Sequence, residues 1–416
     1  MNRRDFIKGS LAIAALAALG GCKEGKENTD VKAGSNEKKQ GEMTKRKLGS
    51  IAQGVSLLGY GLMRLPLKDR RNQAEIDKEK AQELIDRAMA GGVNYYDTAW
   101  VYHQGMSERF AGEALKKYPR ESYNLADKMP VWEVKSLDDA KRIFQEQLDR
   151  CQAEYFDFYL LHSLNGGAWP NVRDLGALEY ARQMKKEGKV KYLGFSFHGD
   201  NKDLAVIADE GGWDFAQIQL NYFDWDDYSR EQYEILTSHN IPVIVMEPLK
   251  GGELANLQPK TLQMLTNARP GTTGAQWAFE FIASLPNVLT ILSGMTYMEH
   301  VEENLKTFSP IEPLGDEGKE LLAKVKEFMK EEGKIPCTTC RYCTPCPVGV
   351  AIPDIFKMYN NYRASLIKWM SQREYFQLAK ESRADACVEC GACLKKCPQK
   401  INIPEELKRV HKEFTS

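Results

Sequence analysis

The sequence of 416 residues lacks several features that would assign it to common protein classes. Its 57 basic and 58 acidic residues give a formal net charge of -1, which offers no electrostatic basis for binding nucleic acid. An apolar stretch at 11–19 is too short to span a bilayer as a mature helix. No G-x-G-x-x-G follows the predicted first strand near 55–61, which argues against a doubly wound dinucleotide-binding sheet. Outside two short C-terminal runs the sequence has only two cysteines, Cys22 and Cys151.

Eight cysteines form those two runs, which repeat each other about fifty residues apart. Each run reads C-x-x-C-x-x-C followed by Cys-Pro, the spacing that binds [4Fe–4S] clusters. In two-cluster, ferredoxin-like domains three cysteines of one run hold a cluster together with the last cysteine of the other run. One predicted set is therefore Cys337, Cys340, Cys343 and Cys397. The other is Cys387, Cys390, Cys393 and Cys346.

Two other interpretations of these cysteines stay open at this point. Eight thiolates also suffice for two tetrahedral zinc sites, and an exported chain can carry a disulfide framework. The tight x-x spacing and the trailing Cys-Pro favour iron–sulfur clusters over both. Cys151 lies alone on a predicted helix, where we expect a small buried hydrophobic residue.

The N-terminus is expected to direct export. Arg3 and Arg4 precede the apolar stretch and resemble a twin-arginine (Tat) signal, which exports proteins already folded. Cys22 follows Leu-Gly-Gly and resembles the acylated cysteine of a lipoprotein, although a plain signal peptide is the alternative. We predict a signal peptide over 1–22, a flexible tether over 23–44, and a periplasmic or other extracytoplasmic location with a lipid anchor at Cys22.

The sequence pattern of residues 45–315 predicts a (β/α)8 TIM barrel. Short apolar runs alternate with stretches of period 3.6, such as Ala81, Leu84, Ile85 and Ala88. The predicted strands lie near 55–61 and at 93–96, 123–128, 157–162, 190–197, 215–219, 241–247 and 288–293. Eight β-α units over about 260 residues match a TIM barrel in number and length. We place the barrel at 45–315 and a small, mostly helical ferredoxin-like domain at 316–416.

Four ionisable residues fall at the C-terminal ends of consecutive predicted strands, where barrels carry their reactive groups: Asp97, Tyr102, Lys128 and His162. Their chemistry suits carbonyl reduction. Tyr102 would protonate the carbonyl oxygen, and Lys128, held by Asp97, would stabilise the phenolate by lowering the pKa of the phenol. His162 would orient the same oxygen.

At these residues the chain resembles the aldo/keto reductase family. The segment 97–102, D-T-A-W-V-Y, is similar to the family's D-T-A-x-x-Y, and 157–162 is similar to its strand-four motif. The resemblance implies a live oxidoreductase that binds NAD(P)(H), in the branch of the family with a two-[4Fe–4S] tail. It also implies a set of nucleotide-binding residues, namely Ser196, Gln217, Pro248, Leu249, Ser293, Gly294, Glu303 and Asn304.

Three departures concern the coenzyme. Met246 stands where the family usually places an aromatic against nicotinamide, and Phe197 replaces an asparagine that often follows the strand-five serine. Tyr297 stands near the position at which NADPH-preferring members carry a basic residue. A preference for NADP is therefore not expected from the resemblance.

The leading hypothesis is an exported oxidoreductase that interconverts an alcohol with an aldehyde, ketone or sugar-like carbonyl and is coupled to electron transfer through two clusters. Its partners would be a small carbonyl or alcohol substrate, the Tat machinery, and a redox protein or quinone system. Because free NAD(P)H is not expected outside the cytoplasm, the nucleotide would be loaded before export and kept bound. The alternative hypothesis is an electron-transfer module whose barrel is a scaffold with little turnover.

Overall fold

The computed structural model describes residues 41–69, 72–331, 333–364 and 368–415. The predicted signal peptide, the anchor at Cys22 and nearly all of the predicted tether lie outside the described residues. Among the helices that are described, none combines the length and the apolar character needed to cross a bilayer.

Eight parallel strands close into a barrel in the order β10-β3-β4-β5-β6-β7-β8-β9, which confirms the predicted fold class. The strand residues are almost all buried, as expected for strands covered on both faces. An antiparallel hairpin of β1 and β2 precedes them. The strands are β1 Lys45–Leu48, β2 Ile51–Ser56, β3 Leu58–Gly61, β4 Tyr95–Asp97, β5 Asn124–Met129, β6 Phe156–Leu164, β7 Val190–Phe197, β8 Phe215–Gln219, β9 Val243–Met246 and β10 Val288–Ser293.

Helices cover the outside of the barrel and build the C-terminal region. Several begin at a side chain that caps a free backbone N–H, such as Ser136 before α3 and Thr273 before α9. The helices are α1 Lys78–Ala90, α2 Met106–Leu115, α3 Leu137–Arg150, α4 Trp169–Asp174, α5 Ala177–Lys186, α6 Asn201–Asp209, α7 Arg230–Ser238, α8 Pro259–Ala268, α9 Gly274–Ala283, α10 Met298–Phe308, α11 Asp316–Glu331, α12 Ile352–Ala364, α13 Lys368–Gln377 and α14 Ile403–Thr415.

The barrel interior is a packed apolar core. Ile51 and Val55 of the hairpin are buried there against Tyr95, Phe158 and other inward-facing strand residues. The hairpin therefore fills the N-terminal end of the barrel. Because that end is filled, the cavity described below lies at the opposite, C-terminal end of the strands.

The C-terminal region has its own smaller core. Buried side chains of α12 and α14, such as Phe356 and Leu407, pack together with the partly buried cluster cysteines. Helix α11 does not belong to that core, since its Leu322 and Val325 are buried in the core that joins barrel and helices. This packing favours a boundary between the two domains after α11 rather than before it.

Candidate active site at the C-terminal mouth of the barrel

The structure brings the four predicted catalytic residues together. Asp97 ends β4, Lys128 lies on β5, His162 lies on β6, and Tyr102 begins the turn after β4. The Lys128 ammonium lies 2.5 Å from an Asp97 carboxylate oxygen and 4.8 Å from the centre of the Tyr102 ring. The rings of Tyr102 and His162 meet edge to face at 6.3 Å. Parallel pairing between neighbouring strands places all four at one end of the barrel.

Burial sets the electrostatics of this group. Lys128 is fully buried and Asp97 is 2% exposed, so each charge depends on the other for compensation. Burial raises the pKa of Asp97, and the Lys128 ammonium opposes that rise. Burial lowers the pKa of His162 well below its usual value, and the charge of Lys128 lowers it further. The imidazole is therefore neutral at neutral pH and can donate one N–H bond to an oxygen.

Burial dominates the pKa of Tyr102, although the Lys128 ammonium lies near its ring. Burial, and then the Asp97 carboxylate, raise the pKa of Tyr102 well above its usual value. The cation that opposes this rise is Arg64, a residue that the sequence analysis did not select. The ion pair between Lys128 and Asp97 offsets part of the charge of Lys128 at the phenol. Tyr102 is thus a phenol held protonated, as a proton donor must be.

A cavity of about 480 Å³ opens beside these residues. Its wall contains Asp97, Tyr102 and His162. It also contains all eight residues expected to bind the nucleotide: Ser196, Gln217, Pro248, Leu249, Ser293, Gly294, Glu303 and Asn304. A cavity of this size with polar and apolar lining suits a small-molecule ligand.

Several buried polar atoms in the cavity region have no partner among the described residues. They include the Oε1 atom of Gln217, the Nδ1 atom of His162 and the Oδ2 atom of Asp97. Gln217 directs its amide N–H to the sulfur of Met246 at 3.6 Å, and Ser196 accepts a hydrogen bond from the Ser163 backbone at 2.7 Å. Buried polar groups normally find partners, so the free carbonyl of Gln217 fits a ligand amide such as the nicotinamide carboxamide.

Charge interactions among the cluster cysteines link the members of each predicted set, and one also joins Cys343 to Cys393 of the other set. The pKa of Cys337 is raised to about 12, chiefly by burial, with contributions from its three neighbours Cys340, Cys343 and Cys397. The pKa of Cys393 is raised by burial and by its own three neighbours, Cys387, Cys346 and Cys390. All nine cysteines in the described part of the chain are free thiols, so none is in a disulfide there. Cys151 is buried, as expected.

The backbone of the two runs repeats as well. Thr339 and Arg341 have positive φ angles of 54° and 66°, and Glu389 and Gly391 at the equivalent positions have 55° and 72°. Alternating left-handed residues turn successive N–H groups toward one side, which is the arrangement that binds anionic centres. The Thr339 N–H accordingly donates to the Cys337 sulfur and lowers the pKa of that thiol. The loop geometry therefore fits an iron–sulfur cluster held by thiolates and backbone amides.

The first of these loops, residues 337–343, forms part of the cavity wall and is called the inner-cluster loop below. Cys340 and Tyr342 line the cavity together with Tyr102 and His162. Arg64 donates a hydrogen bond to the Thr338 carbonyl oxygen at 2.9 Å. Cys340, a predicted cluster ligand, therefore lines one cavity together with three of the four predicted catalytic residues, Asp97, Tyr102 and His162.

Sequence reasoning did not select several side chains of this cavity, among them Arg64, His198 and Tyr342. His198 follows Ser196 by two positions at the end of β7, so its place at the strand end was an available signal. No comparable sequence signal pointed to Tyr342, because a residue between two cluster ligands normally faces its own domain.

Comparison with known proteins agrees with this geometry. Residues 57–325 match the profile of the Aldo/keto reductase family. The chain belongs to the aldo/keto reductase family. Residues 336–401 match the 4Fe-4S dicluster domain, which decides against the zinc and disulfide interpretations, and residues 1–20 match the Tat pathway signal sequence, which supports export across the membrane.

Individual relatives match about two thirds of the chain. The oxidoreductase YqkF of Bacillus subtilis is 26% identical over 315 residues, covering 68% of this chain and 97% of YqkF. L-galactose dehydrogenase of Arabidopsis thaliana is 24% identical and covers 68% of this chain and 94% of its own. The holo form of aldo-keto reductase AKR11C1 from Bacillus halodurans has 25% identity and a TM-score of 0.58, with 68% of this chain and 96% of that chain covered.

Proposed function

We propose that this aldo/keto reductase interconverts a small carbonyl compound and its alcohol with a nicotinamide coenzyme, and that the reaction is coupled to electron transfer through two [4Fe–4S] clusters. The observation that carries the proposal is the shared cavity, in which Cys340 of the inner-cluster loop lies in one wall with Tyr102 and His162. The buried pair of Lys128 and Asp97 supports catalysis rather than a scaffold role, since burying two charges is costly.

The tetrad supplies acid catalysis. When bound, a reduced nicotinamide supplies the hydride. Tyr102 gives its proton to the carbonyl oxygen as negative charge develops there, and His162 donates a second hydrogen bond that orients the oxygen. The phenolate that remains lies beside the Lys128 ammonium, which Asp97 holds in place. In alcohol oxidation the same groups act in reverse.

The groove favours NAD(H) over NADP(H). Its far end contains Thr273, Thr296, His300, Glu303 and Asn304. Arg64 is the single lysine or arginine among the described lining residues, and its guanidinium donates to the Thr338 carbonyl oxygen. The Glu303 carboxylate, which accepts a hydrogen bond from Thr273, would repel a 2′-phosphate.

The two clusters would serve different ends of an electron path. Each [4Fe–4S] cluster transfers one electron, so two clusters would pass on the two electrons of a hydride in single steps once a two-electron carrier of the flavin class has accepted that hydride. The set with Cys340 is at the cavity, whereas Cys390 of the other set is exposed and neighbours Val388, which is 63% exposed. We assign the first set to the substrate side and the second to an external redox protein or quinone.

Export and retention of the nucleotide fit together in this proposal. The Tat route carries folded proteins, so nucleotide and clusters would be acquired in the cytoplasm. The inner-cluster loop contacts the cavity and also Gly251, where an added Cβ would lie 2.6 Å from the Thr338 Cα atom. A loop packed this closely over the groove would slow nucleotide release. We further propose acylation at Cys22, which would hold the exported protein at the membrane.

Replacing Tyr102 by Phe tests the enzymatic proposal. The variant is expected to lose about 10²- to 10⁴-fold in kcat because it removes the proton donor. Anaerobically prepared protein should keep its iron, its sulfide and its visible absorption. Tyr155→Phe, on the far side of the barrel near Lys191, is the matched control and should be active. Unchanged turnover in Tyr102→Phe would reject the proposal.

A further inference from the structure

The cavity contains a second pair of polar rings that the hydride chemistry does not use. His198 comes from the end of β7 in the barrel, and Tyr342 comes from the inner-cluster loop. Their rings meet edge to face, with centres 6.3 Å apart and planes at 87°. Two domains thus each contribute one side chain to a single contact inside the cavity.

Neither side chain has a hydrogen-bonding partner among the groups that the structure describes. Burial lowers the pKa of His198 to about 4, so the ring is neutral at neutral pH. A neutral imidazole and a phenol can each both donate and accept. Both residues are half-buried and line the cavity, so their polar atoms can reach a ligand there.

The second pair lines the same cavity as the reactive pair. Tyr102 and His162 form one ring contact there, and His198 and Tyr342 form another. A substrate whose carbonyl oxygen is bound between Tyr102 and His162 would therefore have its adjoining carbon in the cavity that His198 and Tyr342 also line. A hydroxyl on that carbon would find both a donor and an acceptor.

We propose that Tyr342 and His198 bind a hydroxyl group next to the reacting carbonyl, which makes α-hydroxy carbonyl compounds, and vicinal diols in the reverse direction, the preferred substrate class. The inference rests on the proposed function, because it takes Tyr102 and His162 as the site of the reacting oxygen. It makes the cluster domain a direct contributor to substrate specificity. A site built to hydrogen-bond a substrate hydroxyl discriminates strongly against analogues that lack it.

Two probes of nearly equal shape test the proposal. Hydroxyacetone carries a hydroxyl where butanone carries a methyl group. The kcat/KM of each compound is measured with NADH and with NADPH as the coenzyme. The wild type is expected to prefer hydroxyacetone. In Tyr342→Phe the kcat/KM for hydroxyacetone is expected to fall about 10- to 100-fold, while the kcat/KM for butanone stays unchanged. Tyr362→Phe, in helix α12 of the same domain, is the matched control and should keep it. Iron content verifies that each variant holds its clusters.

Binding measurements separate this inference from the proposed reaction. The Trp132 ring lies 5.1 Å from His162, so its fluorescence should report probe binding without turnover. If Tyr102→Phe is fully active, the proposed function fails, but the dissociation constants of the two probes still report on Tyr342. An unchanged ratio of those constants in Tyr342→Phe, or no preference in the wild type, would overturn the inference. A Tyr342→Phe variant whose two dissociation constants no longer favour hydroxyacetone over butanone supports the inference.

Discussion

At the scale of residues, the site is built from groups that burial keeps neutral and from one ion pair that burial makes interdependent. His162, His198 and Tyr102 are held uncharged, while Lys128 and Asp97 compensate each other. Neutral donors can approach a carbonyl oxygen without first releasing tightly held water. The Lys128 ammonium, together with Arg64 in the cavity wall, then acts where negative charge develops.

The buried histidine gives a prediction for stability against pH. The pKa of His198 is about 4 in the folded protein and 6.5 in the unfolded chain, so the unfolded chain binds more protons between these values. Relative to His198→Gln, the wild type should therefore lose unfolding free energy as the pH falls from 6.5 to 4. Partial access through the cavity limits the loss to about 2 kcal/mol. Urea unfolding of both proteins at pH 7, 6 and 5 measures the difference, and two parallel pH curves would contradict it.

At the scale of elements, apolar patterning predicted most strands but not their division between sheets. The predicted strands at 190–197, 215–219 and 288–293 agree with β7, β8 and β10. The single strand expected near 55–61 is instead the end of hairpin strand β2 and the barrel strand β3, separated at Leu57. Both halves are buried, one in the barrel floor and one in its wall, so their hydrophobic pattern is continuous. Only tertiary packing separates them.

The loop after β9 gives a prediction that separates strain from contact. Gly251 and Gly252 have φ angles of +66° and +99°, so alanine is strained at either position. Only at Gly251 would the new Cβ also meet the inner-cluster loop, at 2.6 Å from Thr338. Gly251→Ala should therefore displace that loop and release bound nucleotide about tenfold faster, a change of ~1.4 kcal/mol. Gly252→Ala is the control for strain. Stopped-flow nucleotide fluorescence measures both rates, and equal rates would show that the loop does not retain the nucleotide.

At the scale of the whole molecule, local motifs predicted both centres but not their juxtaposition. The cysteine runs and the tetrad are each short-range patterns whose chemistry follows from spacing and strand position. Their meeting depends on contacts between distant parts of the chain, such as Arg64 with Thr338 at 2.9 Å and Gln219 with Gln399 at 3.0 Å. These are ordinary polar side chains at surfaces that only docking brings together. Nothing in their local sequence marks them.

The docking surface also contains a buried ion pair. Lys250 lies 2.6 Å from Asp224, and both are nearly inaccessible. Lys250 additionally donates to Gln399 at 3.3 Å, two positions after the cluster ligand Cys397. A buried pair contributes specificity of arrangement more than stability, since desolvation offsets much of its attraction. It fixes the inner cluster set, rather than the outer one, against the barrel.

Removing one ligand from each cluster tests this arrangement. Cys343→Ser affects the inner set, whose loop forms part of the cavity wall, whereas Cys390→Ser affects the outer, exposed set. Because metal binding and local folding are coupled, the first change should loosen residues 337–343 and the second should leave them in place. Cys343→Ser is therefore expected to release nucleotide about tenfold faster than the wild type, and Cys390→Ser at the wild-type rate. Hydrogen exchange of the loop, with iron content and the release rate for each variant, provides the measurement. Equal effects of the two variants would mean that the clusters stabilise their own domain but do not shape the site.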